Sequence, residues 1–130
     1  MKKAVVLFTI MALVVSGAFA TAFISVNDLE PEKVVETKEY EGVVFIATPD
    51  KHMTIESLDD GREAEDGEVF NGRIKLEGSG KISQRAIRFQ GKKGEVLTVY
   101  LNSSSKTEAR TLVIADSTGA QIGALTAPVD

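Results

Sequence analysis

The chain lacks cysteine and tryptophan and has a single histidine and three prolines. Without cysteine there is no disulfide, no thiolate nucleophile and no thiolate metal site. That absence does not decide the compartment, because many exported proteins have no disulfides. His52 follows Lys51 in a turn-like segment and has no partner at metal-ligand spacing. No Gly-rich phosphate loop, nucleophile elbow or HExxH motif is present, so nothing points to catalysis and no cofactor is implied. Sustained helical periodicity is missing as well.

What the chain does have is charge, unevenly placed. Residues 27–68 carry 14 acidic and 4 basic side chains, whereas residues 69–130 carry 5 and 9, within a net charge of −4. Such an asymmetry suits an anionic partner on the basic half. It equally suits an acidic loop folding back on a basic sheet. A chain of 130 residues is read as one domain.

Residues 1–20 have the anatomy of a secretory signal peptide. Lys2 and Lys3 form the positive region, residues 4–15 are apolar apart from Thr9, and Ala18-Phe19-Ala20 fits the small-residue cleavage pattern. The expectation is export, with cleavage after Ala20. The competing reading is an uncleaved anchor at the cell surface, since apolar character resumes at Ala22-Phe23-Ile24 and a span to Val26 is long enough to cross a bilayer. Residues 21–41 read as a linker, charged and holding Pro31 without a sustained apolar period. Strand-like patterns begin at Gly42.

The runs 43–47, 53–57, 70–77, 86–90, 96–101, 110–115 and 120–125 alternate or are β-branched, and Gly-bearing turns separate them. They predict an all-β protein: an antiparallel β-sandwich of about seven strands over residues 42–130. The stretch between, 58–68, reads as an acidic loop. Its carboxylates lack the alternating spacing and trailing Glu of a calcium loop. Asn102-Ser103-Ser104 matches a glycosylation sequon.

Residues 70–90 form the most distinctive stretch. Read as a hairpin around Gly78-Ser79-Gly80, it directs Ile74, Leu76, Ile87 and Phe89 to the core and Arg73, Lys75 and Arg88 outward. Closing the hairpin at Gly80 and Lys81 sets Arg73 across from Arg88. Like charges directly opposite each other destabilise a sheet, so such a pair either finds a carboxylate or awaits an anion. Lys81, with Lys92 and Lys93, widens the basic surface from turns. Arg85 shares the inward face and reads as structural, as does Arg110. Tyr100 lies in an apolar strand and reads as core or rim.

The order of motifs Phe70-Asn71-Gly72-Arg73-Ile74-Lys75-Leu76-Glu77-Gly78-Ser79-Gly80, Arg85-Ala86-Ile87-Arg88-Phe89, Leu97-Thr98-Val99-Tyr100, Asn102-Ser103-Ser104-Ser105, Arg110-Thr111-Leu112 and Asp116 to Gly119 resembles the pectin-binding carbohydrate-binding module family 77. The resemblance spans roughly residues 42–130. It implies a β-sandwich accessory to secreted pectate lyases and other plant cell-wall proteins, binding homogalacturonan through basic side chains rather than stacking aromatics. Family members continue past the position of Asp130 into one or two further strands, so a chain ending there is expected to lack them. Arg73, Lys75, Arg88 and Lys81 are then the expected ligand-binding residues, because Arg holds a carboxylate bidentately and Lys acts as a point charge. The implied partner is an anionic polysaccharide, with a tethered catalytic domain as a further possibility. Export and net negative charge argue against nucleic acid, and no membrane contact is expected once the leader is removed. The alternatives are an adhesion module without glycan specificity, or the front of a secreted pectate lyase.

Overall fold

The computed structural model describes residues 9–16, 22–40, 42–91, 95–103 and 105–129. The strands are β1 (Thr9–Ser16), β2 (Ala22–Ser25), β3 (Glu32–Val34), β4 (Lys38–Tyr40), β5 (Val43–Ile46), β6 (Met53–Glu63), β7 (Val69–Lys75), β8 (Ala86–Arg88), β9 (Val96–Asn102), β10 (Arg110–Ala115) and β11 (Gln121–Ala127). The single helical piece among the described residues is a 3-10 turn, Val26–Asp28. The protein is all-β, and every pairing of its strands is antiparallel.

The described residues form three sheets. The largest runs β2-β1-β7-β6-β3, with β9 also paired to β1. A second runs β4-β5-β8, and β10 pairs with β11 alone. The arrangement is sandwich-like because one core serves all of them. Met53, Ile55, Phe70 and Ile74 project from the large sheet, Val43, Phe45 and Ala47 from the second, and Ala127 from the third. The alternation seen in the sequence is the cause: in β7, Phe70, Gly72, Ile74 and then Leu76 turn inward while Asn71, Arg73 and Lys75 turn outward. Burying each large apolar side chain contributes roughly 1.5–3 kcal/mol.

Two details hold β7 in place. A Cβ on Gly72 would stand 2.6 Å from the Glu56 carbonyl oxygen and 3.1 Å from Val26 Cγ2, so the strands approach this closely only with glycine here. Asn27 finishes the upper part of the strand: its Nδ2 donates to the Val69 carbonyl at 2.9 Å and its Oδ1 accepts from the Asn71 amide at 2.7 Å. One side chain thus stands in for a neighbouring strand.

Several expectations need correction. The segment read as a linker contains β2, the 3-10 turn, β3 and β4, and Ile24, Val26 and Val34 are buried. Strands of three or four residues have too few inward side chains to show a period; β3 buries only Val34, and β4 buries none fully. The described strands number eleven: seven of them, β5 to β11, lie in residues 42–130 as expected for the sandwich, and β1 to β4 precede it. Much of the apolar stretch assigned to a leader is β1, which lies between β9 on one side and β7 and β2 on the other. Residues 1–8 and the proposed cleavage site, 17–20, lie outside the described residues.

The expected hairpin between 70–77 and 86–90 is not formed. β7 pairs with β6, β8 pairs with β5 in the other sheet, and residues 76–85 cross between them. The crossing needs unusual backbone, with Glu77 at φ 66° and Arg85 at φ 48° in the left-handed region and Gly78 at φ 150°. Most of the stretch read as an acidic loop is the second half of β6. Its register shifts between Ser57 and Arg62, so Leu58, Asp59, Asp60 and Gly61 bulge opposite Asn71.

Candidate functional site

The four expected ligand residues fall on three different supports. Arg73 and Lys75 lie on the outward face of β7 in the large sheet, Arg88 on β8 in the second sheet, and Lys81 in the crossing loop, where it bridges to Gln84. Arg73 does not face Arg88. Its partner across the ladder is Glu56, and Arg88 is opposite Val44. The like-charge pair expected from the sequence is absent because β7 and β8 belong to different sheets.

Glu56 changes what the face of the large sheet can do. Its Oε1 accepts from Arg73 Nε, forming an ion pair between half-buried side chains. Lys75 Nζ lies 3.5 Å from Glu77 Oε1 and 4.0 Å from Glu56 Oε1. Two of the four cations are therefore internally compensated. Arg88 and Lys81 are exposed and make no ion pair among the described residues. Lys92 and Lys93 lie outside the described residues.

Three further exposed basic residues without an ion pair among the described residues, Lys33, Lys51 and Lys106, were not in the sequence reading of the site, and only Lys33 lies on a strand of the large sheet. Lys33 on β3 pairs with Thr54, which in turn pairs with Lys75. Lys33, Thr54 and Lys75 form one row across three strands, which sets the two lysine backbones about 10 Å apart. Lys33 is exposed and has no ion pair among the described residues. It was hidden because β3 lies in the segment taken for a linker.

Arg85, Arg110 and Tyr100 are engaged within the fold. Arg85 is half-buried: its Nε donates to the His52 carbonyl at 3.2 Å, and its guanidinium lies so close to Gly78 that a Cβ there would stand 2.6 Å from Nη1. This agrees with a framework role. Arg110 Nη2 meets Glu108 Oε2 at 3.0 Å, and its Nε is buried without a hydrogen-bond partner. The Tyr100 ring packs on Phe70 with centroids 5.1 Å apart, and its hydroxyl donates to Asp66 at the tip of the β6–β7 turn. That hydrogen bond, helped by the Glu68 amide, holds the Asp66 carboxyl below its ordinary range and pushes the Tyr100 phenol up. Tyr100 is thus rim, and part of the acidic stretch does fold back onto the sheet.

A second cluster lies at the other side of the large sheet. Glu32 accepts from the Tyr40 hydroxyl and from Lys38 Nζ at 2.9 and 3.0 Å. The Tyr40 contact, followed by Lys38, lowers the Glu32 carboxyl, while burial and then Glu32 raise the Tyr40 phenol. Tyr40 packs on Phe45 at 4.6 Å, so its ring belongs to the core. Beside it, Ile24, Ser25, Asp28, Leu29 and Tyr40 line an open cavity of about 190 Å³. Among the described residues no three His, Cys, Asp or Glu side chains converge as a metal site, and no helix is long and apolar enough to cross a membrane.

Comparison with protein-family models, with curated proteins and with solved structures finds no match to this chain. What remains is a class defined by shape and surface: an all-β, sandwich-like chain presenting cations on sheet faces and a crossing loop.

Proposed function

We propose that the chain is a secreted, non-catalytic β-sandwich module that binds acidic pectin, homogalacturonan, through exposed basic side chains. One observation carries the reading. The chain has more acidic than basic residues, 19 against 15, yet Lys33, Lys81 and Arg88 stand exposed without a carboxylate partner among the described residues. A repeating polyanion brings its own carboxylates at intervals along one molecule, and each exposed cation adds a modest contact that the polymer sums. Arg88 offers bidentate geometry and the lysines offer point charge. Arg73 and Lys75 join when the ligand competes with Glu56 and Glu77. The resemblance to carbohydrate-binding module family 77 supports the same assignment, although the cations are distributed differently from a single strand face.

Retention in affinity gels containing polygalacturonate tests it. Replacing both Arg88 and Lys81 by Ala is expected to remove most of the retention without moving the melting temperature by more than about 2 °C, as for surface substitutions. Retention equal to wild type overturns the site. The second reading, an adhesion module without glycan specificity, is favoured by a different surface, the uncharged outer face of β10–β11. A module of that kind would ignore polygalacturonate and cellulose alike.

A further inference from the structure

Among the described residues, the β10–β11 hairpin is a sheet with no third strand. Beyond its own ladder, no backbone amide or carbonyl of either strand is paired among the described residues. Exposed sheet edges are normally guarded by charge or proline. Among the other edge strands, β3 follows Pro31 and holds Glu32 and Lys33, β4 holds Lys38 and Glu39, and β8 holds Arg88, whereas β2 and β9, both paired to β1 alone, carry neither charge nor proline. β10 begins at Arg110, which is ion-paired to Glu108. β11, Gln121–Ala127, contains no charged residue and no proline.

The face beside that edge is equally uncharged. Thr111, Val113, Ile122, Ala124 and Thr126 all point outward, with Val113 52% and Ile122 67% exposed. Ile122 is the most exposed large apolar side chain among the described residues. It sits where the register shifts between Ile114 and Ala115, while the pairing from Gly123 to Ala127 is regular. An edge of this kind is completed by a strand, not by a small ligand or a charged surface.

We propose that β11 is a self-association edge, pairing antiparallel with β11 of a second copy across a two-fold axis. The sequence of the edge favours this partner. Each copy carries a net charge of −4, so two copies approach most easily through a charge-free strip. Antiparallel pairing also brings the Asp116 turn of one copy to the end where the other carries Lys106, beside its Arg110–Glu108 pair, so that Lys106 faces an opposite charge. The joint sheet has four strands, and its apolar face joins Val113 and Ile122 of both copies. A single strand edge falls short of the roughly 800 Å² per partner of a stable interface, so the dimer is weak, with a Kd of about 10 µM to 1 mM.

Sedimentation velocity of the full chain across that concentration range, with amide hydrogen exchange at matched concentrations, tests the proposal. The expected result is a monomer–dimer equilibrium in which amides within 121–127 gain protection as concentration rises. Ile122→Lys and Ala124→Lys, one outside and one inside the regular pairing, are each expected to weaken association at least about tenfold, because the two-fold axis brings the two new like charges together across the interface. Circular dichroism melts establish that each variant is folded, and either folded variant suffices. A wild-type chain that stays monomeric to the top of the range overturns the proposal. So does a dimer indifferent to both substitutions, or one whose protection appears outside β10–β11. If an added unrelated strand peptide protects β11 while the chain alone stays monomeric, the edge belongs to another partner and self-association is wrong.

Discussion

Glu56 determines how much of the basic face of β7 is free to meet a ligand. It stands opposite Arg73 and within 4.0 Å of Lys75 Nζ, so one carboxylate restrains two cations. Partly exposed ion pairs of this kind contribute little to stability, typically under about 1 kcal/mol. Glu56→Gln is therefore expected to cost no more than that in denaturant titration. The same substitution should raise affinity for polygalacturonate at low salt by roughly two- to tenfold, since a free cation–carboxylate contact contributes about that much. Unchanged affinity would exclude Arg73 and Lys75 from the ligand surface. Gly72 is the opposite kind of residue, fixed by packing. Gly72→Ala drives a Cβ to within 2.6 Å of the Glu56 carbonyl oxygen and is expected to cost about 1–3 kcal/mol by overpacking. Glu32 gives a pH prediction. Its folded-state pKa is depressed below 4.5 by Tyr40 and Lys38, so its contribution is present above that value and is lost as pH falls through the folded pKa. Glu32→Gln should flatten that part of the acid limb of a stability–pH curve, by no more than about 1 kcal/mol because the group is near the surface.

Strand positions were legible where alternation ran long enough. Residues 43–46, 53–57, 69–75, 96–102, 110–115 and 121–127 are strands for the reason the pattern gives, a buried face against an exposed one. Which strand each one pairs with was not legible, because alternation specifies a face and not a neighbour. That is why Phe70 to Lys75 was joined to Ala86 to Arg88, and why Glu56 went unnoticed as the partner of Arg73. The acidic second half of β6 concealed itself similarly: its charges resemble a loop, while its backbone continues the ladder past a bulge. β2, β3 and β4 were too short to carry a period. Of the candidate site, the identity of the cations was readable and their grouping was not. Asn27 illustrates a contact that no pattern announces. Asn27→Ala removes both hydrogen bonds that finish β7 and is expected to cost about 0.5–1.5 kcal/mol per bond lost, read by denaturant titration.

At the scale of the whole molecule, the acidic and basic halves do not simply neutralise each other. Asp66 folds onto the sheet to meet Tyr100 and Glu56 within the sheet meets Arg73, while Lys33, Lys81 and Arg88 remain exposed without a carboxylate partner among the described residues. On the function proposed above, a long polyanion would read a set of separated cations, with strong dependence on salt because exposed charges are screened over about 10 Å at 0.1 M ionic strength. The most direct measurement is affinity electrophoresis of wild type and of the Arg88→Ala, Lys81→Ala double variant through polygalacturonate and through cellulose, at low and at high salt. Retention by polygalacturonate alone, lost in the double variant and diminished by salt, is the predicted result. Wild-type mobility unaffected by polygalacturonate at low salt would contradict the account.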